Sequence, residues 1–419
     1  MTFATGRLRC PRDGTVVAPE RAFDGCPTCA AAGVSSNVHP EYALPPGTGL
    51  PVAEDEPGIF RYRSLLPVGA AAPVSLGEGG TPLVRLPQLS EDCGADVLLK
   101  DESRNPTWSW KDRLAAVAVT RARDRGADTV VVATTGNHGA ATAAYAAAAG
   151  MRCVALTLAS VPQTMKTLMQ VYGASVVALP EPADRWHLMR TLVAQRGWEP
   201  LSGYCDPPIG SNPFGVDGYK TIAYEIAEDL DAVPDVVVVP AAYGDGLAGI
   251  LRGFEDLVAL GVTDRLPRMV AVDPFGAYRA ALAAGRPSRV AGRSTLAFSI
   301  ATTIATEQGL SVVRRSGGTA VGAIADDRLT SEQRRLAAAT GLYLENASVA
   351  AVVACRELAA ERWVRPGETV VVLGTSTGLK DVTATAAALP EVSSILPDVA
   401  ALDAALDGAP ATVAEEGTR

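Results

Sequence analysis

The chain has 419 residues, enough for about two domains, and 48% hydrophobic with 20% charged residues is typical of a globular protein. The net charge is −9 without a long basic run, which argues against nucleic acid as a partner. No apolar stretch has membrane-spanning length and residues 1–12 lack the apolar centre of a signal peptide, so we expect no membrane partner and a cytoplasmic location.

The seven cysteines are mostly scattered, which is typical of reduced thiols and not of a disulfide framework. The exception is near the N-terminus, where Cys10 and Asp13 form one closely spaced pair and Cys26 and Cys29 a second. This spacing is the pattern of a zinc ribbon, with Asp13 in place of a fourth cysteine. Two interpretations are open: a structural zinc site with these four ligands, or a degenerate knuckle without metal. Residues 1–35 are predicted to form this segment.

The next part of the chain leads to a lysine-containing motif. Residues 31–75 are rich in Pro, Gly and Ala and predict an extended arm, with one or two helical turns in residues 59–67. The sequence EGGTPL at residues 78–83 predicts a turn before a short strand near Val84, and residues 97–100 predict a second strand. The motif NPTWSWKDR follows at residues 105–113.

Lys111 begins an Ala-rich helical pattern that runs through Arg123, and Ser109 and Asp112 have the spacing of a helix N-cap. The helix dipole at a first turn and the two neighbouring indoles, Trp108 and Trp110, both lower the pKa of an amine and favour a nucleophile. The alternative is a solvated lysine beside two packing indoles.

Three Val-rich runs each lead into a polar, glycine-containing loop: residues 130–133 into TTGNHG, residues 236–240 into AAYGDG, and residues 370–373 into GTSTG. Helical patterns follow the first two, to residue 149 and over residues 247–257. Buried strands that alternate with helices predict a parallel sheet covered on both faces, with ligands beyond the carboxyl ends of the strands. Such loops offer backbone amides to an anion, although neither a dinucleotide fingerprint nor a P-loop is present.

In order, these motifs resemble those of the threonine synthase-like enzymes, within the fold type II (tryptophan synthase β-like) family that depends on pyridoxal 5'-phosphate. Residues 78–83, 105–113, 134–137, 212–221 and 375–381 carry the resemblance, which spans residues 60 to 381. It implies an α/β fold of two domains, each with a mainly parallel sheet flanked by helices. Residues 36–125 and 209–405 would form the large cofactor-binding domain, residues 126–208 a small mobile domain, and residues 406–419 a tail. The family also implies a homodimer.

The resemblance implies a role for each matching residue. Lys111 would bind pyridoxal phosphate covalently and later move the substrate's protons. Further cofactor contacts are expected from Asn137, Gly244, Asp245, Gly246, Leu247, Thr375 and Ser376. Substrate contacts are expected from Thr134, Thr135, Gly136, His138 and Trp108. Lys166, Ser211 and Asn212 are either further substrate contacts, to an anion, or ordinary surface and capping residues. We expect the Asp245 side chain to point away from the phosphate. His138 is either a second acid–base group or a packed, hydrogen-bonded side chain.

The implied reaction begins when an amino-acid substrate displaces Lys111 and forms an external aldimine, followed by elimination or replacement at the β or γ carbon. The parent activity converts O-phosphohomoserine to threonine and phosphate. Two departures bear on it: Trp108 stands where the family has glycine, and Gly215 where it commonly has an arginine suited to a phosphate. A diverged elimination or replacement on another amino acid in specialised metabolism therefore stays open. So does a catalytically silent paralogue, against which the intact Lys111 argues.

Overall fold

The computed structural model describes residues 3–392 and 394–407. Its strands are β1 (Ala4–Arg9), β2 (Val16–Val17), β3 (His39–Tyr42), β4 (Leu83–Arg85), β5 (Asp96–Asp101), β6 (Thr129–Ala133), β7 (Arg152–Leu158), β8 (Ser175–Leu179), β9 (Glu199–Pro200), β10 (Val236–Pro240), β11 (Arg268–Asp273), β12 (Thr319–Gly322) and β13 (Thr369–Gly374).

The α-helices are α1 (Pro27–Ala31), α2 (Pro87–Cys93), α3 (Lys111–Asp124), α4 (Asn137–Ala148), α5 (Gln163–Val171), α6 (Pro182–Arg196), α7 (Lys220–Leu230), α8 (Asp245–Ala259), α9 (Ala277–Ala284), α10 (Glu307–Arg315), α11 (Asp326–Thr340), α12 (Asn346–Ala360), α13 (Val382–Ala386) and α14 (Val399–Asp407). Short 3-10 helices span Pro19–Asp24, Gly58–Leu65, Glu102–Arg104, Gly215–Tyr219, Phe298–Ile300 and Gly378–Asp381.

The larger sheet has six strands in the order β12-β11-β10-β13-β5-β4. All neighbours are parallel except β4, which pairs antiparallel with β5 at the edge. Successive valines of β10 face opposite sides: Val237 and Val239 pack with α3, α7 and α8, whereas Val236 and Val238 pack with α2 and α12. Because both faces are covered, these strands are continuous apolar runs.

The smaller sheet has four parallel strands in the order β8-β7-β6-β9. Helix α4 packs against it in the large core, and α6 covers the other face, where Met189 contacts Val131 and Leu156. The parallel sheets confirm the predicted α/β fold class. The four strands come from residues 129–200, inside the range predicted for the small domain, and the domain boundaries themselves stay predictions.

The N-terminal segment forms a separate antiparallel sheet, β2-β1-β3, over a small core that contains all three of its cysteines and Phe214. At the other end, α14 reaches Asp407, and residues 408–419 of the predicted tail lie outside the described residues. None of the helices in the described part of the chain combines the length and apolar character that crossing a bilayer requires.

Candidate active site

The loops that follow β6, β10 and β13 meet around one cavity of about 650 Å³, at the carboxyl ends of these strands. The sequence predicted ligands at this edge of the sheets. Twelve of the predicted residues line the cavity: Lys111, Thr134, Thr135, Gly136, Asn137, His138, Ser211, Gly244, Asp245, Gly246, Leu247 and Thr375. Residues from distant parts of the chain therefore converge here.

Lys111 is the first residue of α3, and its Nζ lies 5.2 Å from the centre of the Trp110 ring and 5.5 Å from that of Tyr219. Burial lowers the pKa of this amine, while the charges of Asp245 and Glu345 act in the opposite direction. The neutral, nucleophilic form is therefore favoured relative to a lysine in water. Trp110 is the indole that excludes water from the amine.

The predicted N-cap of α3 is wrong. The residue before the helix is Trp110, whose side chain makes no capping hydrogen bond. The Ser109 hydroxyl accepts a hydrogen bond from the Lys111 amide at 3.3 Å. The Asp112 carboxylate accepts bonds from the Thr107 amide at 2.7 Å and the Thr107 hydroxyl at 2.5 Å. Asp112 thus fixes the loop ahead of Lys111 instead of capping the helix.

The glycine loop of residues 244–247 opens α8, a helix of 15 residues that places free backbone amides and the positive end of its dipole at the cavity. A Cβ on Gly246 would overlap the Trp110 indole, and a Cβ on Gly244, which has φ +78°, would press on the Gly309 backbone. The Asp245 carboxylate accepts bonds from the Ser211 amide and the Gln308 side chain, both at 2.7 Å. Its charge is thus held by donors of neighbouring segments.

The loop of residues 134–138 opens α4 in the same way. The Thr134 hydroxyl accepts the Gly136 amide at 3.0 Å and the Gly139 amide at 2.9 Å, which fixes the loop. Burial and the charge of Lys111 lower the pKa of His138 to about 3, and its Nε2 has no hydrogen-bond partner among the described residues. His138 is therefore neutral near pH 7 and cannot act there as an imidazolium acid. This argues against a role as acid, and the function of His138 at the cavity stays a prediction.

Asn137 belongs to a buried network that the sequence analysis missed. Its amide oxygen accepts a bond from Lys380 at 2.7 Å, and its amide nitrogen donates to the Glu345 carboxylate at 3.1 Å. Burial raises the pKa of Glu345 and lowers that of Lys380 to about 8. Lys380 belongs to the closing motif and could have been noticed there. Glu345 directly precedes α12 and lies at the cavity, but no local signal marks it.

Thr375 lies at the end of β13, and its hydroxyl is 2.8 Å from that of Ser348 on α12. A neutral hydroxyl pair, and not a carboxylate, thus stands at this wall of the cavity. The neighbouring Ser376 does not line the cavity: its hydroxyl donates to the Trp108 carbonyl at 2.9 Å and lies 3.4 Å from the Asn137 amide oxygen. It ties the lysine loop to the closing motif.

Three residues expected to contact substrate do not line the cavity. Trp108 has an exposed side chain and a left-handed backbone with φ +59°, so it occupies a glycine-like conformation at a cost of roughly 1–2 kcal/mol. Lys166 donates to the Ala159 carbonyl at 3.1 Å. The Asn212 side chain is buried and accepts the Phe214 and Gly215 amides at 3.0 and 2.9 Å. The indole at position 108 therefore adopts a glycine-like backbone conformation and lies outside the cavity lining.

Gly215 packs against the lysine helix and does not line the cavity. A Cβ at this position would come within 3.0 Å of the Leu114 side chain and carbonyl and within 3.1 Å of Ala118, both on α3. Whether Gly215 removes a phosphate clamp from the cavity stays a prediction. A larger residue here would be directed at α3 in this packing.

The residues fit pyridoxal phosphate. Three groups face the same cavity. They are the partly buried Lys111 amine with its lowered pKa, the glycine loop at the start of α8 with the Trp110 indole against it, and the Asn137 amide, which two charged side chains hold. These groups could bind an aldehyde, a phosphate and a ring hydroxyl respectively.

The N-terminal ligand cluster lies outside this cavity. One ligand atom each of Cys10, Asp13, Cys26 and Cys29 lies within 4.8 Å of all the others. The Sγ atoms of Cys10 and Cys29 are 3.6 Å apart, and those of Cys26 and Cys29 lie 3.6 and 3.4 Å from an Asp13 carboxylate oxygen. Tetrahedral zinc, with Zn–S of about 2.3 Å and Zn–O of about 2.1 Å, places sulfurs about 3.8 Å apart and sulfur and oxygen about 3.6 Å apart.

Comparison with known proteins agrees with the interpretation of this cavity as a site for pyridoxal phosphate. The family described as pyridoxal-phosphate dependent enzyme matches residues 74–376. The threonine synthase of Methanosarcina acetivorans is 36% identical over 337 residues, which cover 78% of this chain and 80% of that protein. The threonine synthase of Mycobacterium leprae is 34% identical over 359 residues, which cover 83% of this chain and 95% of that protein.

Solved structures extend the comparison. The crystal structure of O-ureido-L-serine synthase superposes with a TM-score of 0.62 at 26% identity, covering 78% of this chain and 96% of that one. Threonine deaminase isoform 2 from Solanum lycopersicum superposes with a TM-score of 0.62 at 19% identity. The match covers 83% of this chain and 94% of that one and shows the shared fold. The chain therefore belongs to the fold type II family of pyridoxal-phosphate-dependent enzymes and is a threonine synthase-like lyase that acts on an amino acid.

Proposed function

We propose that the protein converts O-phosphohomoserine and water to threonine and phosphate. The observation that carries this proposal is the meeting of the Lys111 amine with the first turns of α4 and α8 in one cavity. The choice of substrate is supported by relatives above 30% identity that are named threonine synthase.

The side chains have distinct tasks in this reaction. Lys111 would hold pyridoxal phosphate in the resting enzyme, and the cofactor would supply an electron sink for the substrate's α carbon once the substrate has taken the place of this lysine. The Lys111 amine, with its lowered pKa, accepts that proton and returns protons later in the cycle. The amides of residues 244–247 hold the cofactor phosphate, and those of residues 134–138 hold the substrate carboxylate.

Asn137 is positioned by its charged neighbours. Because Lys380 binds its amide oxygen and Glu345 its amide nitrogen, the side chain cannot rotate without losing both bonds. We propose that this fixed amide contacts the ring hydroxyl of the cofactor. The Thr375 hydroxyl would face the pyridine nitrogen, which it leaves less protonated than a carboxylate would.

The proposed reaction predicts a simple stoichiometry. The holoenzyme is expected to release one phosphate and one threonine for each O-phosphohomoserine, measured by a phosphate assay and amino-acid chromatography. Homoserine, which lacks the leaving group, is the matched control and should give no product. Turnover of O-acetylhomoserine or O-phosphoserine with no turnover of O-phosphohomoserine would contradict the proposal.

A diverged substrate has no observation in its favour. The two departures that raised it, Trp108 and Gly215, both lie outside the cavity lining. Closure of the small domain over the substrate and homodimerisation stay predictions from the family resemblance, and a cytoplasmic location stays a prediction from the sequence.

We also propose that Cys10, Asp13, Cys26 and Cys29 bind one structural zinc ion, because their separations match tetrahedral coordination. Purified protein is then expected to contain one zinc per chain, and Cys29→Ser to lose it. Exchange with Co²⁺ should give thiolate-to-cobalt absorption. Cys205→Ser is the control, because its thiol donates to the Phe23 carbonyl at 3.1 Å and does not belong to the ligand cluster. Metal-free protein with unchanged thermal stability after zinc addition would refute the site.

A further inference from the structure

Two arginines outside the predicted motifs line the cavity. Arg185 lies in the second turn of α6, and Arg289 lies in the segment between α9 and the 3-10 helix Phe298–Ile300. They come from elements packed on different sheets, because α6 covers the smaller sheet and Arg289 follows β11 of the larger one.

Arg185 is a buried cation without a counter-charge. Its residue is only 6% exposed, and its Nε donates to the Pro182 carbonyl at 3.2 Å, while it forms no salt bridge within the described ranges. Burial lowers the pKa of this guanidinium, in agreement with the lack of a paired carboxylate among the described residues. Buried charges are normally paired, so an unpaired guanidinium on a cavity wall is prepared for an anion.

Arg289 adds a second charge at the same wall. Its Nη1 donates to the Thr303 hydroxyl at 3.3 Å, and no carboxylate of the described chain pairs with it. Both guanidinium charges act on the hydroxyl of Tyr243, opposing the rise in pKa that burial causes there. The Tyr243 ring also contacts Trp186 with centroids 6.3 Å apart, and Trp186 directly follows Arg185. The two arginines and Tyr243 are thus neighbours.

The acidic side chains of the cavity have other partners. Asp206 lies 3.7 Å from His187, and Glu181 takes part in the capping box at the start of α6. Asp245 is held by Ser211 and Gln308, and Glu345 by Asn137 and Ser299. The two guanidinium groups therefore keep their capacity for an added anion.

We infer that Arg185, assisted by Arg289, binds the dianionic phosphate on the side chain of the substrate. Guanidinium groups match phosphate oxygens in geometry and charge, and a buried one binds them with little competition from water. The position where an arginine was expected, residue 215, faces α3, so this pair supplies the cation from other elements. The identity of the substrate rests on the proposed function, whereas the anion site rests on the two arginines.

The test uses the holoenzyme, whose cofactor phosphate site is filled, with inorganic phosphate as the probe in calorimetric titrations at fixed ionic strength. We expect Arg185→Gln to weaken phosphate binding by about tenfold or more, and Arg289→Gln, which removes an exposed charge, by about threefold. Arg185→Lys should recover part of the loss. Arg190→Gln, an exposed arginine on the same helix that contacts Tyr204, is the matched control and should stay within about twofold of the parent protein.

Kinetics add an independent readout. Arg185→Gln should raise KM for O-phosphohomoserine by about tenfold with kcat within about threefold, and cofactor absorbance should confirm that the variant is loaded. Equal phosphate affinity in Arg185→Gln and the parent, no phosphate binding in the parent, or an equal loss in Arg190→Gln would overturn the site. If the parent makes no threonine but binds phosphate through Arg185, the proposed substrate fails and the anion site stands. If threonine forms and KM is unchanged in Arg185→Gln, the anion site fails alone.

Discussion

Lys111→Ala is expected to lower kcat for threonine formation by roughly 10³-fold or more, the largest effect of any substitution considered. The variant loses both the covalent anchor of the cofactor and the base that moves the α proton. Lys111 lies at the start of α3 beside two aromatic rings. It is the one lysine among the described residues that line the cavity, so no other side-chain amine can replace it. The measurement is single-turnover formation of phosphate together with the absorbance band of the bound cofactor.

Added methylamine provides the control for this experiment. A small amine that enters the vacated space should restore part of the rate if the loss is chemical, and far-ultraviolet circular dichroism should match the parent. Retention of the cofactor band and of activity within tenfold of the parent would mean that Lys111 is a solvated lysine without a catalytic role.

Arg113→Met is expected to destabilise the protein by about 3–5 kcal/mol, the largest effect on stability. Arg113 is fully buried on α3, two residues after Lys111. It binds the carboxylates of Glu102 and Glu225 with two bonds each, at 2.6 to 2.8 Å. Without the guanidinium, Glu102 loses its ionic partner, and Glu225 keeps Lys100, at 3.0 Å, as its one cationic partner among the described residues. Two carboxylates then stay buried with too little positive charge.

The decisive comparison is with Arg104→Met. Arg104 also forms a salt bridge, to Asp101 at 2.9 Å, but its side chain is 64% exposed, so its loss should cost less than about 1 kcal/mol. The shift in the urea midpoint of unfolding, at constant slope, measures both variants. Equal midpoints for the two would show that the buried network is no more important for stability than a surface pair.

The layout of the sheets followed from the sequence because it depends on local composition. The apolar run Val236–Pro240 is typical of a buried strand, and the glycine loop after it indicates the start of a helix. The pattern therefore predicted the strand, the helix and the edge of the sheet where the loops lie. The same reasoning placed Lys111 at a helix start. Strands β11 and β12 were not predicted, because they lack a glycine loop that draws attention to them.

The site was only partly predictable because neighbours in a motif need not share a surface. Trp108 and Lys111 are three residues apart, yet one side chain is exposed and the other faces the cavity. Glu345 and Arg185 reach the same cavity from helices far away in the chain, and no local pattern distinguishes them from ordinary charged residues. The role of each depends on whether it has a bonded partner of opposite charge or polarity. That is determined by how the helices pack in three dimensions.

The pairing of β5 with β13 has a consequence for synthesis on the ribosome. β5 leads to Lys111 and pairs with β13 in the larger sheet, where Asp96 lies opposite Thr369. In contrast, all strands of the smaller sheet have been synthesised once the chain reaches residue 200. Contacts between segments so far apart in the chain form late. The smaller sheet can therefore fold while the amine-bearing helix still lacks its support. A nascent chain thus carries a lysine without a catalytic environment, and reactivity begins only when the last strand arrives.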